Sequence, residues 1–240
     1  MSAEGPDSTP AARRVVRPFR VLRSAVALAH RDGPVSLALA VTRRYFVDWR
    51  SFYLYELHLA GCPEGHSAPR PDGYDECLVD SNEAADVAVN GRGDFREVMP
   101  WTRRALARGA VALCLYHGRE VAHVGCVATS PAARRAVDML PFDVRFNGGE
   151  ALLGAAYTVP QHRNRGLMTY STLRRLDYLR ASGFHTCRVA IATNNGPSNH
   201  VQMRLKSRIY AVGHLSRLLK WRCWSERRPT AQELKRHSGC

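Results

Sequence analysis

The segment 150–181 constrains the fold more than any other part of the sequence, because a short loop rich in arginine and glycine joins an apolar run to a helical pattern. The apolar run Glu150–Val159 predicts a strand, which ends at a proline. Beyond the loop, leucines at helical spacing predict a helix over Leu167–Ala181 that ends before a glycine. A strand, a short loop and a helix in this order are typical of α/β folds.

The loop between this strand and this helix has the chemistry of an anion-binding site. The first N–H groups of a helix have no acceptor within the helix, and the helix dipole favours negative charge there. Gly166 allows a ligand to approach the backbone closely, while Arg163 and Arg165 supply planar donors suited to phosphate oxygens. Neither GxxxxGK[ST] nor GxGxxG occurs in the sequence. A loop whose arginines are only solvated is the alternative interpretation.

The rest of the sequence also divides into predicted strands and helices. Periodicity and turn residues divide it into segments that alternate between strand and helix in the second half. The predicted helices are 19–29, 35–47, Glu97–Arg108 and Pro197–Ser207, the predicted strands are Phe52–Leu59, Ala110–Tyr116, Glu120–Ala128, Phe184–Ala192, Ile209–Leu219 and Trp221–Ser225, and 60–74 and 130–147 are predicted to be irregular.

Two motifs in this order resemble those of a known superfamily. Arg163-Asn164-Arg165-Gly166-Leu167-Met168, preceded by Val159-Pro160, resembles the acyl-CoA-binding motif of the GNAT N-acyltransferase superfamily. Asn195-Gly196-Pro197-Ser198 resembles the start of the second helix that contacts the cofactor in that superfamily. Met168 departs from the pattern, which usually has a small residue there. The resemblance covers about residues 110–225.

The resemblance implies an α/β fold with a mixed, splayed central sheet flanked by helices. The helical spacing of apolar residues before residue 48 adds an N-terminal helical extension. It implies transfer of an acyl group, expected to be acetyl, from acetyl-CoA or a longer acyl-CoA to an amine by direct attack in a ternary complex. The pantetheine would pair with the strand that ends at Tyr157–Val159. The residues implied to bind the cofactor are Thr158, Val159, Arg163, Asn164, Arg165, Gly166, Leu167, Met168, Thr169, Asn195 and Ser198.

Acyl transfer to an amine also requires a base, a group that polarises the carbonyl and a proton source for the thiolate. Glu150, at the start of the strand, is the predicted base, and His123 on the neighbouring strand is the alternative. The resemblance implies a backbone N–H near Val159 as the polarising group. Tyr210 and Tyr157 are the candidate acids, with solvent as the alternative to both.

The charge of the chain keeps other partners open. The formal net charge is +14, and residues 161–240 carry 16 Lys+Arg against 3 acidic residues. An acidic acyl carrier protein, as donor for N-acyl amino acids or lactones, is one alternative. An RNA- or aminoacyl-tRNA-associated protein is the second. The acidic block Asp72–Asp94 is interpreted as a solvated loop, with an entrance for a cationic amine as the other interpretation.

Composition sets the remaining expectations. No stretch reaches the roughly 18–20 apolar residues of a membrane span, and the apolar run near the start is too short for a secretory signal. Seven cysteines without a CxxC pair favour a reducing cytoplasm and no metal site. The acceptor is expected to be a small molecule or peptide, and a homodimer is allowed. The predicted divisions are a disordered 1–12, a helical extension 13–48, a GNAT-like domain 49–228 and a tail 229–240.

Overall fold

Two almost wholly buried strands form a hairpin in the middle of the chain. In the computed structural model, β3 (Ala110–His117) and β4 (Glu120–Ala128) pair antiparallel. The turn between them uses Gly118, whose φ of +59° lies in the left-handed region that favours glycine. The hairpin that the sequence predicts is therefore confirmed, one residue longer in its first strand.

The structure describes residues 47–62, 69–218 and 221–238. Contacts divide the chain into one unit of residues 1–49 and 216–222 and a second of residues 50–215 and 223–240. The predicted helices at 19–29 and 35–47 lie outside the described residues, apart from Val47, which begins a strand. The described helices and most of the strand residues belong to the second unit.

Eight strands of the described ranges form one sheet in the order β2-β3-β4-β5-β6-β1-β7-β8. The strand β2, which no sequence pattern predicts, pairs antiparallel with β3. The strands besides the hairpin are β1 (Val47–His58), β2 (Asp75–Val79), β5 (Glu150–Thr158), β6 (Thr186–Ala192), β7 (Arg208–Leu218) and β8 (Trp221–Arg227). The predicted class, a mixed α/β sheet flanked by helices, is confirmed.

The strands β5 and β6 pair for only part of their length. They run parallel, and their register covers Glu150 to Leu152 on β5 against Thr186 to Arg188 on β6. Beyond these pairs the two strands diverge. On its other side, β5 continues antiparallel to β4 as far as Thr158. The sheet therefore opens into a V between β5 and β6, with the closed end at the start of both strands.

Helices cover the two faces of the sheet around separate apolar clusters. One cluster includes Phe95, Leu106 and Phe142, and the other includes Leu176 and Val201. The helices in the described ranges are α1 (Asn82–Ala88), α2 (Phe95–Val98), α3 (Thr102–Leu106), α4 (Pro131–Val137), α5 (Leu167–Ala181), α6 (Gly196–Arg204) and α7 (Ala231–Ser238). The bounds of α5 are those that the sequence predicts.

The single helix predicted over Glu97–Arg108 is wrong, because the segment forms α2 and α3 with a break between them. Pro100 lies in the break, and a proline lacks the N–H that a continuous helix needs. The Asp94 side chain caps α2 by accepting the N–H of Arg96 at 2.8 Å. Two short helices replace the longer one.

Two segments predicted to be irregular also contain regular structure. The connection 130–147 contains α4. The Ser130 hydroxyl caps this helix by accepting the Ala133 N–H at 3.2 Å, and Pro131 lies in the first turn. The acidic block Asp72–Asp94 contains β2 and α1 rather than a solvated loop. Capping and pairing decide both segments, and neither has a strong apolar period.

Near the end of the chain, α7 occupies part of the predicted tail 229–240. The Thr230 hydroxyl accepts the N–H of Glu233 at 3.3 Å, while the Glu233 carboxylate accepts the N–H of Thr230 at 2.7 Å. This reciprocal pair is a capping box. None of the helices in the described ranges has the length and hydropathy needed to cross a membrane.

The middle of β4 has room for a guanidinium because residue 125 is glycine. A Cβ on Gly125 would lie 2.7 Å from the Arg175 Cζ of α5, closer than real Cβ atoms approach. We expect Gly125→Ala to destabilise the fold by roughly 1–3 kcal/mol, because the buried guanidinium has to move. Urea unfolding measures the change. Gly61→Ala, whose added Cβ meets nothing within 4 Å, is the control, and equal stability of the two variants would contradict this packing.

Candidate active site

The V between β5 and β6 forms a cleft with two connected parts. The outer cavity has a volume of about 660 Å³ and lies between the 158–169 loop and the start of α6. The inner cavity, of about 270 Å³, continues between the diverging strands towards α4 and α5. Ala156, Met168, Asn195, Ser198 and Val201 line both.

Nine of the eleven residues that the resemblance assigns to the cofactor line the outer cavity. The two that do not are Val159 and Arg165. Those that do are Thr158, Arg163, Asn164, Gly166, Leu167, Met168, Thr169, Asn195 and Ser198. The folded chain therefore brings together residues from two motifs that are about 30 positions apart in sequence.

The loop before α5 points its backbone donors at the outer cavity. Asn164 and Gly166 have φ values of +61° and +77°, so the chain turns twice through the left-handed region. The first intrahelical bond is from the Tyr170 N–H to the Gly166 carbonyl, at 3.0 Å. The N–H groups of residues 167–169 precede that bond and have no acceptor within the helix. Unbonded N–H groups at a helix start suit an anion, and the binding of one at this loop stays a prediction.

A histidine inside the loop anchors it to the rest of the fold. His162 is buried, and its Nδ1 lies 3.0 Å from the Tyr74 hydroxyl. Burial lowers the pKa of His162, and the nearby His117 and Arg165 lower it further, so the imidazole is neutral. No sequence pattern reveals this anchor, because Tyr74 is 88 residues away and lies in no motif.

The start of α6 is fixed to the sheet by amide contacts. Asn195 caps the helix by accepting the Ser198 N–H at 3.3 Å. The Asn199 side chain donates to the Ala192 carbonyl at 3.0 Å and accepts the Tyr55 hydroxyl at 2.9 Å. Both helices that flank the outer cavity therefore begin at it, with their N-terminal donors facing the same space.

The β6-facing edge of β5 is open along the cleft. Parallel pairing ends at Leu152, so the backbone groups beyond it have no strand partner on that side among the described residues. Opposite, the register with β4 shifts between Gly125 and Val127, so that two residues of β5, Gly154 and Ala155, face Cys126. Such a bulge leaves backbone groups outside the ladder. An extended ligand could pair with this edge.

The backbone N–H of Val159 does not have the role that we expected. It donates to the Ala122 carbonyl at 3.0 Å and is therefore committed to the sheet. Backbone donors near the bulge at Gly154 and Ala155 lie in the inner cavity instead. The polarising role of a backbone N–H near Val159 stays a prediction.

Glu150 belongs to a row of ion pairs at the closed end of the V. Its carboxylate lies 2.9 Å from Arg188, which also pairs with Glu56 at 3.3 Å. Arg208 lies 2.9 Å from Glu56, so this charge row of Glu150, Arg188, Glu56 and Arg208 crosses four neighbouring strands. The row borders a separate groove of about 990 Å³.

This environment makes Glu150 a weak base. Burial opposes its ionisation, but hydrogen bonds from the Arg145 backbone and side chain, together with Arg188, outweigh burial and hold its pKa below the usual value. Glu150 also lines neither part of the cleft among the described residues. The arrangement favours a role in holding the strands together, and the role as base stays a prediction.

The two candidate acids lie far apart. Tyr157 is 39% exposed in the outer cavity, with the Arg163 guanidinium 5.9 Å from its ring centroid. Tyr210 lies beside the charge row, 4.6 Å from the Arg188 guanidinium, and burial raises the pKa of its hydroxyl. Tyr210 and Glu150 thus both lie against Arg188, whereas Tyr157 lies in the outer cavity, and the catalytic roles of all three stay predictions.

His123, the alternative base, is fully buried within the sheet. Its Nδ1 lies 2.8 Å from the Thr158 hydroxyl, and it lines neither part of the cleft in the described ranges. Burial and the positive charge of Arg175 lower its pKa to about 3. The neutral imidazole therefore positions Thr158 at the rim of the outer cavity rather than facing a substrate.

Asp138, which no sequence motif singles out, is a carboxylate that does line the inner cavity. One oxygen accepts the Leu140 N–H at 2.9 Å. Burial raises its pKa above the ordinary value, although Leu140 and Arg134 oppose this. A partly buried carboxylate with a raised pKa is suited to accept a proton near neutral pH. Its position depends on α4, which no motif predicts.

No family model and no curated protein sequence matches the chain. Solved structures with a similar fold include a Drosophila protein (13% identity, 80% of this chain and 58% of that chain, TM-score 0.49). A second is a tandem GNAT protein from the clavulanic acid biosynthesis pathway (19% identity, 82% of this chain and 59% of that chain, TM-score 0.45). A third is a GCN5-related N-acetyltransferase from Kribbella flavida (14% identity, 83% of this chain and 73% of that chain, TM-score 0.42).

The chain thus spans 58% and 59% of the first two of these structures. At these identities the similarity concerns the fold alone.

The buried His123 should make stability depend on pH. The unfolded imidazole takes up a proton near pH 6.5, but the folded one resists it down to about pH 3. Stability therefore falls as the pH drops below 6.5, by about 2 kcal/mol between pH 6.5 and 5. Urea unfolding at several pH values in this range should show that the free energy of unfolding of His123→Asn changes less with pH than that of the wild-type protein. The exposed His200→Asn is the control, and equal slopes in all three proteins would contradict a neutral buried imidazole.

Proposed function

We propose that the protein is an acyltransferase that binds acyl-CoA in the cleft between β5 and β6 and transfers the acyl group to an amine. The observation that carries this proposal is the convergence of nine motif residues on one cavity at the mouth of the V. An anion-binding loop, an open strand edge and a partly buried carboxylate succeed one another along the same cleft. Each of them corresponds to one part of an acyl-CoA or to one step of the reaction.

The phosphates of the cofactor would lie at the start of α5. The N–H groups of residues 167–169 and the Arg163 guanidinium are the donors for them, and Arg163 is held by its own bond to the Thr158 carbonyl at 3.2 Å. Pantetheine amides would then pair with the open edge of β5. Met168, where the superfamily motif usually has a small residue, lines both parts of the cleft between these two regions.

The reaction would take place in the inner cavity. The amine attacks the thioester carbonyl, a C–N bond forms, the C–S bond breaks, and the thiolate leaves. The developing oxyanion can accept hydrogen bonds from backbone N–H groups at the bulge of Gly154 and Ala155. Asp138 is the carboxylate placed to take the proton of the amine, directly or through water. Tyr157 and solvent remain the candidate proton donors to the thiolate.

Acetyl-CoA should raise the melting temperature of the protein through contacts with the loop. Arg163→Glu should weaken acetyl-CoA binding roughly 10- to 100-fold or more. The substitution removes a positively charged hydrogen-bond donor and puts a negative charge beside the phosphates. Arg104→Glu, at an exposed position of α3 outside the cleft, makes the same charge change and should leave binding intact. Thermal shift and calorimetry measure both.

An absence of any shift with acetyl-CoA or longer acyl-CoA would contradict this donor. A shift with an acyl-loaded carrier protein in the same experiment would move the proposal to the carrier-protein donor. Co-purified RNA that dissociates steeply with salt would instead support the nucleic-acid alternative.

Asp138→Asn should lower the rate of transfer roughly 100-fold or more, because it removes the proposed base. In the wild-type protein the rate should fall as the pH drops through the pKa of Asp138, since only the carboxylate accepts a proton. Burial places that fall at higher pH than for an ordinary aspartate. Steady-state rates against pH measure both effects. A loss of rate in Glu150→Gln instead of Asp138→Asn would return the role of base to Glu150.

A further inference from the structure

The inner cavity contains one buried cation that the proposed reaction does not use. Arg175, on the third turn of α5, is 1% exposed and lines this cavity. Its Nε donates to the Ser171 carbonyl at 3.1 Å and one terminal nitrogen donates to the Cys126 carbonyl at 3.1 Å. The other terminal nitrogen lies 3.3 Å from the Thr172 hydroxyl.

These contacts fix the guanidinium against the bulge between β4 and β5. Cys126, whose carbonyl Arg175 binds, is the residue of β4 that faces two residues of β5. Gly125 leaves the space in which the guanidinium lies, because a Cβ there would meet its Cζ at 2.7 Å. The orientation of the guanidinium is therefore set by the strand and the helix together.

No carboxylate neutralises this cation in the described part of the chain. Its electrostatic neighbours are the thiols of Cys126 and Cys187, and burial raises the pKa of each to about 12, so both are neutral. Burial lowers the pKa of Arg175 only to about 10, so the guanidinium is charged near neutral pH. Asp138, the ionisable carboxylate of the inner cavity, interacts with Arg134 rather than with Arg175. An unpaired buried charge is strongly destabilising.

Two of the five guanidinium N–H groups have no acceptor among the described residues, because three of them make the contacts above. The route to these two donors starts at the outer cavity. Met168, Thr172 and Arg175 are spaced four and three residues apart, so they share one face of α5. Met168 lines both parts of the cleft, whereas Thr172 and Arg175 line only the inner one.

A donor that enters with its phosphates at the start of α5 would therefore reach Arg175 with its acyl end. We propose that Arg175 binds a terminal carboxylate on the acyl chain, so that the protein selects the CoA thioester of a dicarboxylic acid over that of a neutral acid. This inference rests on the proposed function and replaces acetyl as the expected acyl group. The carboxylate would supply the anion that the buried guanidinium lacks.

Calorimetric titration of the full chain with succinyl-CoA, butyryl-CoA and free CoA tests this selection. The two thioesters have chains of equal length and differ at the terminal carboxylate. We expect succinyl-CoA to bind roughly 10- to 100-fold more tightly than butyryl-CoA, which is the effect of hydrogen bonds to a charged group. Equal affinities in the wild-type protein would overturn the proposal without any variant.

Variants then assign the selection to Arg175. Arg175→Met should bind both thioesters with the affinity of butyryl-CoA, and Arg175→Lys should keep part of the preference. Arg174→Met is the matched control, because its neighbouring guanidinium pairs with Glu76 at 2.7 Å outside the inner cavity. A preference that survives in a folded Arg175→Met protein would overturn the assignment.

The two proposals fail in different ways in this experiment. If free CoA and both thioesters do not bind, the acyl-CoA function itself is wrong and the selection falls with it. If CoA and both thioesters bind equally, only the role of Arg175 is wrong.

Discussion

The binding properties of this protein depend on the point at which β5 and β6 stop pairing. At the closed end, the charge row ties four neighbouring strands together through Arg188 and Glu56. Just beyond it, α4 packs directly on Gly154, where a Cβ would lie 3.1 Å from the Cys126 carbonyl and collide with Val137. At this point β5 bulges against β4, and beyond Leu152 it no longer pairs with β6, so the sheet acquires an internal open edge.

This one separation places chemically different groups along a single cleft. The outer part presents the unbonded N–H groups at the start of α5, where an anion is stabilised by dipole and charge. The inner part presents backbone groups at the bulge, the raised-pKa carboxylate of Asp138 and the buried guanidinium of Arg175. A ligand with a phosphate at one end and a reactive carbonyl further along matches this order, which is why acyl-CoA is the donor we propose.

Local patterns predict the regular elements well where the apolar residues of the segment follow a clear run or period. The strand β4 and the helix α5 have the predicted bounds, since a continuous apolar run after a tight turn specifies the first and leucines at helical spacing specify the second. The same patterns failed at α4 and at the break between α2 and α3, where a serine cap and Pro100 act on segments with little apolar periodicity. Glu150 was correctly placed on its strand, but its two arginine partners could not be foreseen.

The sequence by itself determined the strand–loop–helix unit of residues 150–181 and its anion-binding character, because both arise from local backbone geometry and from neighbouring residues. The tertiary structure alone decided which carboxylate faces the cleft and which cation is buried beneath it. Asp138 directly follows α4 and Arg175 lies on α5, two helices that pack on separate apolar clusters, and both residues line one cavity because β5 and β6 separate there. Burial shifts the pKa of both groups, and burial is a property of the packed molecule, which no local pattern contains.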